Sequence, residues 1–389
     1  MTTLRAHTVT SIAKIPPADW DLCAGDDNPF LSHAFLLALE QSGSATPATG
    51  WQPIHMVVEN AHQNIVGVAP AYVKSHSYGE YVFDHAWAHA LERIGQRYYP
   101  KVQVCVPFTP VTGSRLLVRP LSDVEAKQVR LGLGQALMGL LNRFPLSSLH
   151  MTFATPQDGL MMQSVECGEC IERLDIQFHW HNKNYTCFND FLDQLVSRKR
   201  KAIIKERQEA LSHGLTIRSV TGADITEADM DYFYAFYQAN TDNKLGHAYL
   251  TRAFFSLIKE SMSDKILLIF AEKNGVPVAG ALNFIGKNVL YGRNWGCLEE
   301  HPFLHFEVCY YQAIDYAIAN GFSRIEAGAQ GTHKIARGYE PVFTRSYHYI
   351  DNEGLRGAVD QFVSREREAI IAHCDELKTH TPFKKQDKK

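Results

Sequence analysis

Several residues in the second half of this 389-residue chain have the types and spacing to move a proton or to hold an anion. In HPFLHFEVCYYQAIDYAIANG, helical spacing puts Phe303, Phe306, Tyr310, Ala313, Ile314 and Ala317 on one stripe. Glu307 falls on that stripe, four residues after Phe303 and three before Tyr310. A carboxylate on a core-facing stripe is costly unless it is paired or used. Glu307 therefore reads as a base or an anchor for a substrate amine, or else as half of an ion pair with Arg293 or Arg337. Glu326 and Gln330 bracket the Gly-rich segment EAGAQG, whose small residues let a ligand approach the backbone. His333, Lys334 and Arg337 follow. They suit a phosphate or carboxylate, or form a solvated loop. Arg293 stands in NVLYGRNWG with Tyr291 and Asn294. It could meet an anionic substrate through both arms of its guanidinium, or pair with a carboxylate at the strand end. Tyr291, Glu307 and Glu326 are the candidate catalytic side chains.

A second grouping is basic. Arg198, Lys199, Arg200 and Lys201, with Lys205 and Arg207, open a helix against its own macrodipole. Phosphates of a tRNA, a nucleotide or a lipid-linked precursor would favour them, with Lys199 and Arg200 central. Such binding would weaken steeply with salt. The other reading is an exposed charged face. Elsewhere, Cys167 and Cys170 form a single CxxC without two further ligands at zinc spacing, so no metal site is expected. His85 and His89 could share a helix face, although their segment reads partly as strand. Tyr78, Tyr81, Asp84, Trp87, Tyr98 and Tyr99 form an aromatic and polar cluster that lines a groove between domains or packs in a core. No Walker loop, G-x-S-x-G elbow or HExxH occurs.

The elements that must position these residues follow from periodicity and from cap and turn signals. In the first half, FLSHAFLLALEQSG after Asn28-Pro29 predicts a helix, PIHMVVEN and NIVGVAPAYVK two strands, and GEYVFDHAW a third. Residues 98–118 predict edge strands with a structured loop. Residues 122–143 predict a helix capped by Ser122, and SSLHMTF and ERLDIQFHW two more strands. After residue 182 the pattern resets. A long helical stretch runs from NKNYTCF to Gly214, followed by strand LTIRSV. Two helices come next, one capped by Thr226 and one reading TRAFFSLIKESM. Strands KILLIFAEK and VPVAGALNFI meet at Asn274-Gly275, a type I′ hairpin signal. Strand NVLYGRNWG, a helix with Pro302 in its first turn and Gly321 past its end, and strand RIEAGAQG complete the order. NIVGVAPAYVKSHSYGEYVFDHAW loosely repeats VPVAGALNFIGKNVLYGRNWG, which points to a duplicated domain.

Three segments together resemble the Fem-type aminoacyltransferases and the FemAB-like predicted N-acyltransferases: SRKRKAIIKERQEALSHGLTIRSV, VAGALNFIGKNVLYGRNWG and YYQAIDYAIANGFSRIEAGAQG. SHSYGEYVFD, VPFTPVTG, LHFEVCYYQ and EAGAQGTHKIARGY look like the narrower, peptidoglycan-biosynthesis-type branch. Glu326 stands where an Asp is common in the family. The resemblance implies an α/β (α+β) fold of two tandem GNAT-like domains, each a mixed, mostly antiparallel sheet flanked by helices. The expected domains are 1–182, 183–375 with the candidate site, and a polar tail at 376–389. It implies an N-acyltransferase that moves an acyl or aminoacyl group to a small-molecule or peptide amine. In such a core, free backbone N–H groups where the fourth strand splays from the fifth would hold the acyl carbonyl.

The donor expected is aminoacyl-tRNA or acyl-CoA, acting as co-substrate with no tightly bound cofactor. In RNWGCLEEHPF, Arg293-x-x-Gly296 matches half of a coenzyme A loop, but Leu298 replaces its second glycine. Glu299 and Glu300 place negative charge where a pyrophosphate would sit, which favours the tRNA donor. An acetyl-CoA-dependent acetyltransferase and a non-catalytic GNAT-like binding protein are the alternatives. The bulk numbers fit this frame. A net charge of −3 argues against a DNA partner, 45% hydrophobic and 21% charged residues argue for globular domains, and no segment reads as a membrane span or signal peptide. Eight scattered cysteines fit free thiols in the cytoplasm.

Overall fold

The strongest local signals in the sequence become caps and turns. Ser122 and Glu125 form a capping box at the head of the 123–143 helix, and Thr226 and Thr251 cap their helices through side-chain oxygens. Asn274 and Gly275 both adopt positive φ, 53° and 79°, as a type I′ turn requires. In this computed structural model, residues 4–165, 170–242, 248–329 and 331–384 are described. The chain divides into two units, Met1–Asp175 with Phe343–Ile371, and Ile176–Val342 with Ala372–Lys389.

The first unit contains β1 (Arg5–Val9), α1 (Pro17–Ala24), α2 (His33–Gln41), β2 (Trp51–Pro53), β3 (His55–Glu59), β4 (Ile65–Ala69), β5 (Ala71–Lys74), α3 (His85–Arg93), β6 (Lys101–Val104), β7 (Leu117–Val118), α4 (Asp123–Arg143), β8 (Ser148–Met151) and α5 (Pro156–Gln163). The helix expected after Asn28 starts only at His33, because Ser32 turns the chain and caps it. The strand expected over 64–74 breaks at Pro70, which has no N–H for a ladder. GEYVFDHAW is not a strand. Its second half enters α3, where Trp87, Ala88 and Leu91 share a buried helical face. Trp87 and Tyr98 pack in the core beside Val359 and Val363, whereas Tyr78 is exposed.

The second unit opens within β9 (Ile171–His181). It continues through α6 (Phe188–Asp193), α7 (Ser197–Ala210), β10 (Leu215–Thr221), α8 (Glu227–Asp242), α9 (Arg252–Met262), β11 (Ile266–Lys273), β12 (Val276–Ile285) and β13 (Val289–Cys297). Next come α10 (Leu304–Phe306), a π-helical turn over Glu307–Tyr311, α11 (Gln312–Ala319) and β14 (Arg324–Ala329). β15 (Glu340–Ile350) and α12 (Glu353–Thr379) end the chain. The long helix expected over 182–214 is two helices, broken at the buried Leu195. Pro302 lies ahead of its helix, not in the first turn. Phe303, at φ +59°, sets the start. From Phe343 onward, β15 belongs to the first unit, so the chain does not divide once near residue 182.

Each unit repeats one strand pattern. In the first, β5 is antiparallel to β6, β6 parallel to β8, and β8 antiparallel to β15. In the second, β12 is antiparallel to β13, β13 parallel to β14, and β14 antiparallel to β9. The parallel pair needs a crossover, which α4 supplies in one unit and the α10–α11 helix in the other. The second unit's core lies between its sheet and that helix, around Trp180, Leu267, Ile269, Tyr311, Ile314 and Ile325.

Candidate functional site

β13 and β14 pair over only three residues, Val289–Arg324, Leu290–Ile325 and Tyr291–Glu326. Beyond Tyr291, β13 continues to Cys297 against β12, while β14 bends away. Two features part the strands. The β12–β13 register shifts beside Asn283, and Gly328 adopts φ +72°, a conformation natural to glycine, as the β14–β9 register shifts between Glu326 and Ala329. A Cβ on Gly292 would stand in ordinary contact, 3.4 Å from Asn283 Oδ1 and 3.8 Å from Ala327 Cα, so the base of the fork has room for a methyl group and no more.

Side chains of alternating charge gather at this fork. Tyr291, Glu326 and His179 lie side by side on β13, β14 and β9. Arg293, whose side chain is 5% exposed, donates to the carbonyls of Gly292 (2.9 Å) and Glu326 (3.2 Å). One guanidinium nitrogen lies 3.8 Å from Glu326 Oε2. Glu326 is fully buried and also accepts from Arg324 at 2.9 Å. Lys334, buried, donates to Ala327 O at 2.8 Å, which ties the loop after β14 to the fork. Burial, with Arg293 nearby, lowers the Lys334 ammonium to about 8. Burial, with Arg324, His181, Arg293 and Lys334, holds His179 neutral, well below its usual range. Among the described residues, Arg293, Arg324 and Lys334 surround the Glu326 carboxylate, which suits the fork to an anion or to an oxygen that gains charge in a reaction.

Glu307 is inward but belongs to another cluster. It is fully buried, and both its oxygens are held by Arg207 at 2.9 and 3.1 Å. Gln312 donates to it at 2.7 Å. Arg207 also bonds Asp315 at 2.7 Å. The ion pair is thus with Arg207, not with Arg293 or Arg337. Arg337 lies over the Phe306 ring at 3.3 Å and donates to Glu206 at 2.8 Å, and Tyr311 donates to the same carboxylate. His333 is exposed, with Nε2 2.9 Å from the Tyr310 hydroxyl. Asn294 is half-buried on β13 beyond the fork, and Gln330 lies outside the described residues. Lys199 and Arg200 are half-buried on the first turns of α7, where Arg200 pairs with Asp193 at 2.9 Å. Glu299 is engaged by Lys273 (2.8 Å) and His301 (3.2 Å). The fork therefore assembles Tyr291, Arg293, Glu326 and Lys334. Glu307 and Arg337 brace the helices beside it.

Sequence reasoning passed over His179, Arg324 and the inward role of Arg207. The signals were present. Gln177, His179 and His181 alternate with Phe178 and Trp180 on a strand, and Ile203, Arg207 and Ala210 share a helical face with Glu206.

Residues 11–385 match the FemAB-like family, described as peptidoglycan biosynthesis/recognition. The chain belongs to the FemAB-like family. Among solved structures it is similar to FemX, with 10% identity, a TM-score of 0.53, and coverage of 89% of this chain and 98% of that one. It is also similar to a conserved protein of unknown function from Bacteroides thetaiotaomicron VPI-5482, at 12% identity and TM-score 0.52, covering 90% and 99%. A third is the C-terminal domain of a putative lysylphosphatidylglycerol synthetase from Agrobacterium fabrum, at 8% identity and TM-score 0.52, covering 91% and 97%. No curated protein sequence matches. These likenesses establish the expected tandem GNAT-like fold, and the family supports acyl transfer in general. Among the described residues, no helix is long and apolar enough to cross a membrane.

Proposed function

We propose that this FemAB-like protein transfers an aminoacyl group from aminoacyl-tRNA to an amine of a peptidoglycan precursor, at the β13–β14 fork of the second unit. The observation that carries the reading is the parting of these strands directly after Tyr291 and Glu326, with Arg293 and Lys334 lodged beside the gap. Amide formation needs donors for the tetrahedral oxyanion and a route for the amine's proton. Backbone N–H groups of β13 beyond Tyr291 are suited to the first task, backed by Arg293. Glu326 and Lys334 are the ionisable groups near the second. The basic opening of α7 suits tRNA phosphates. Glu299, Glu300 and the missing second glycine speak against coenzyme A. We place the reaction in the cytoplasm, where charged tRNA is made.

Titration calorimetry with aminoacyl-tRNA and with acetyl-CoA tests the donor. The account expects tRNA binding that weakens steeply between about 50 and 200 mM salt. Tight acetyl-CoA binding without tRNA binding would overturn it.

A further inference from the structure

The first unit holds large aromatic rings out in water. Tyr78 and Phe83 are each 60% exposed. Scattered singly, such rings mean little; here they belong to one strip. Ring centroids are 5.3 Å apart from His76 to Tyr78, 5.6 Å from Tyr78 to His85, and 6.4 Å from His85 to Phe83.

The backbone beneath the strip is anchored. Glu80 and Asp84 are buried and held by Lys101 Nζ at 2.7 and 2.5 Å, and the Ser77 and Tyr99 hydroxyls bond at 2.8 Å. A Cβ on Gly79 would come within 2.6 Å of the Phe108 ring, so the chain runs tight against the core there. Tyr81, at φ +59°, takes a left-handed conformation that bulky residues rarely adopt. Buried charges thus alternate with outward rings along residues 78–84. The rings are fixed in place before any partner arrives, which lowers the entropy that binding costs.

Phe83 also lines a cleft that lies wholly in the first unit. Its walls carry Arg173, Arg345, Asp175 and Glu366, two charges of each sign, together with Leu174 and Ile370. Arg173 ties the strip to the cleft. It donates to the Phe83 carbonyl at 2.8 Å and to both oxygens of Glu366 at 2.7 and 2.8 Å. Arg345 pairs with Glu172 at 3.2 Å. On α12, Phe362 stands one turn before Glu366, on the stripe that Glu366 and Ile370 share, and is 48% exposed.

A ligand suited to this surface has no net charge, because the walls offer none to oppose it. It has an apolar face for the rings and polar groups that both donate and accept. A hexopyranose has these properties. The C–H groups on its flat face carry slight positive charge and meet the negative face of an aromatic ring. Its hydroxyls meet guanidinium and carboxylate groups that their own pairing holds in place. A single-stranded nucleic acid also stacks on aromatic rings, but its phosphates need cations in excess.

We propose that the aromatic strip and the adjoining cleft form a carbohydrate-binding site for a neutral chain of hexopyranoses. Sugar rings lie on Tyr78 and Phe83, and hydroxyls of the next sugar reach Arg173 and Glu366. Leu174 and Ile370 suit the methyl of an acetamido substituent. The site is independent of the fork and stands whether or not transfer occurs there.

Saturation-transfer NMR on the full chain, with the neutral trisaccharide chitotriose as probe, tests this. The expected result is saturation strongest on the C–H protons of one sugar face. Binding should weaken about fivefold in Tyr78→Ala and in Phe83→Ala, and persist in Phe83→Trp. Both side chains are exposed, and circular dichroism checks that the variants keep the fold; should one misfold, the other carries the comparison. No saturation of chitotriose by the folded wild type, variants that bind it as tightly as the wild type, or its displacement by polyuridylate would overturn the proposal.

Discussion

At the scale of the residue, Glu307 and Lys334 show how burial assigns different tasks to charged groups. Glu307 is enclosed and answered by Arg207 and Gln312, so its removal strips Arg207 of its buried carboxylate partner, leaves it Asp315 alone, and opens a cavity beside Gln312. Glu307→Ala should lower stability by roughly 3 kcal/mol, read as a shift in urea midpoint. Lys334 is lowered from the ordinary 10.5 to about 8. Between pH 8 and 10.5 the unfolded chain holds a proton that the folded chain has released. Stability should therefore rise with pH across that window. Lys334→Met should flatten this rise, worth up to roughly 3 kcal/mol, in midpoints measured from pH 7 to 10.5. The sequence showed Glu307 on an apolar stripe, and that was enough to place it inside. It did not show the partner, because Arg207 lies 100 residues away on a helix whose other basic residues are exposed or half-buried.

At the scale of the element, the fork depends on where β13 is allowed to lie. Gly296 sits against the backbone of α8, where an added Cβ would overlap the Phe236 carbonyl. Gly296→Ala should force β13 off α8 and cost about 1–3 kcal/mol, measured by thermal or urea unfolding. Elements with local signals were legible: Ser122 marked the start of α4, and Asn274-Gly275 fixed the β11–β12 hairpin. Elements governed by tertiary contacts were not. GEYVFDHAW carries strand-forming residues, yet its second half is helical because Trp87, Ala88 and Leu91 meet the core on one face. β15 and α12 gave no sequence expectation, although Tyr347, Ile350, Val359 and Val363 are core residues. The splay itself was expected from the resemblance, and the glycines and register shifts that produce it were visible only in three dimensions.

At the scale of the whole molecule, the duplication is one of topology more than of sequence. Both units run antiparallel, parallel, antiparallel, and each takes its closing strand from a distant part of the chain: β9 for the second unit, β15 for the first. A chain ending at residue 342 should therefore lose the first unit's packing, including Tyr347, Leu355 and Val363. Its near-ultraviolet circular dichroism should collapse while helical signal remains. The measurement that bears most directly on the account is transfer of a labelled amino acid from tRNA to a peptidoglycan precursor with a free amine, by the wild-type chain and by Arg293→Gln. The fork account predicts transfer by the wild type and a fall of about 100-fold in the variant with its fold intact. Equal transfer by both proteins, or none by a folded wild type that binds both substrates, would contradict it.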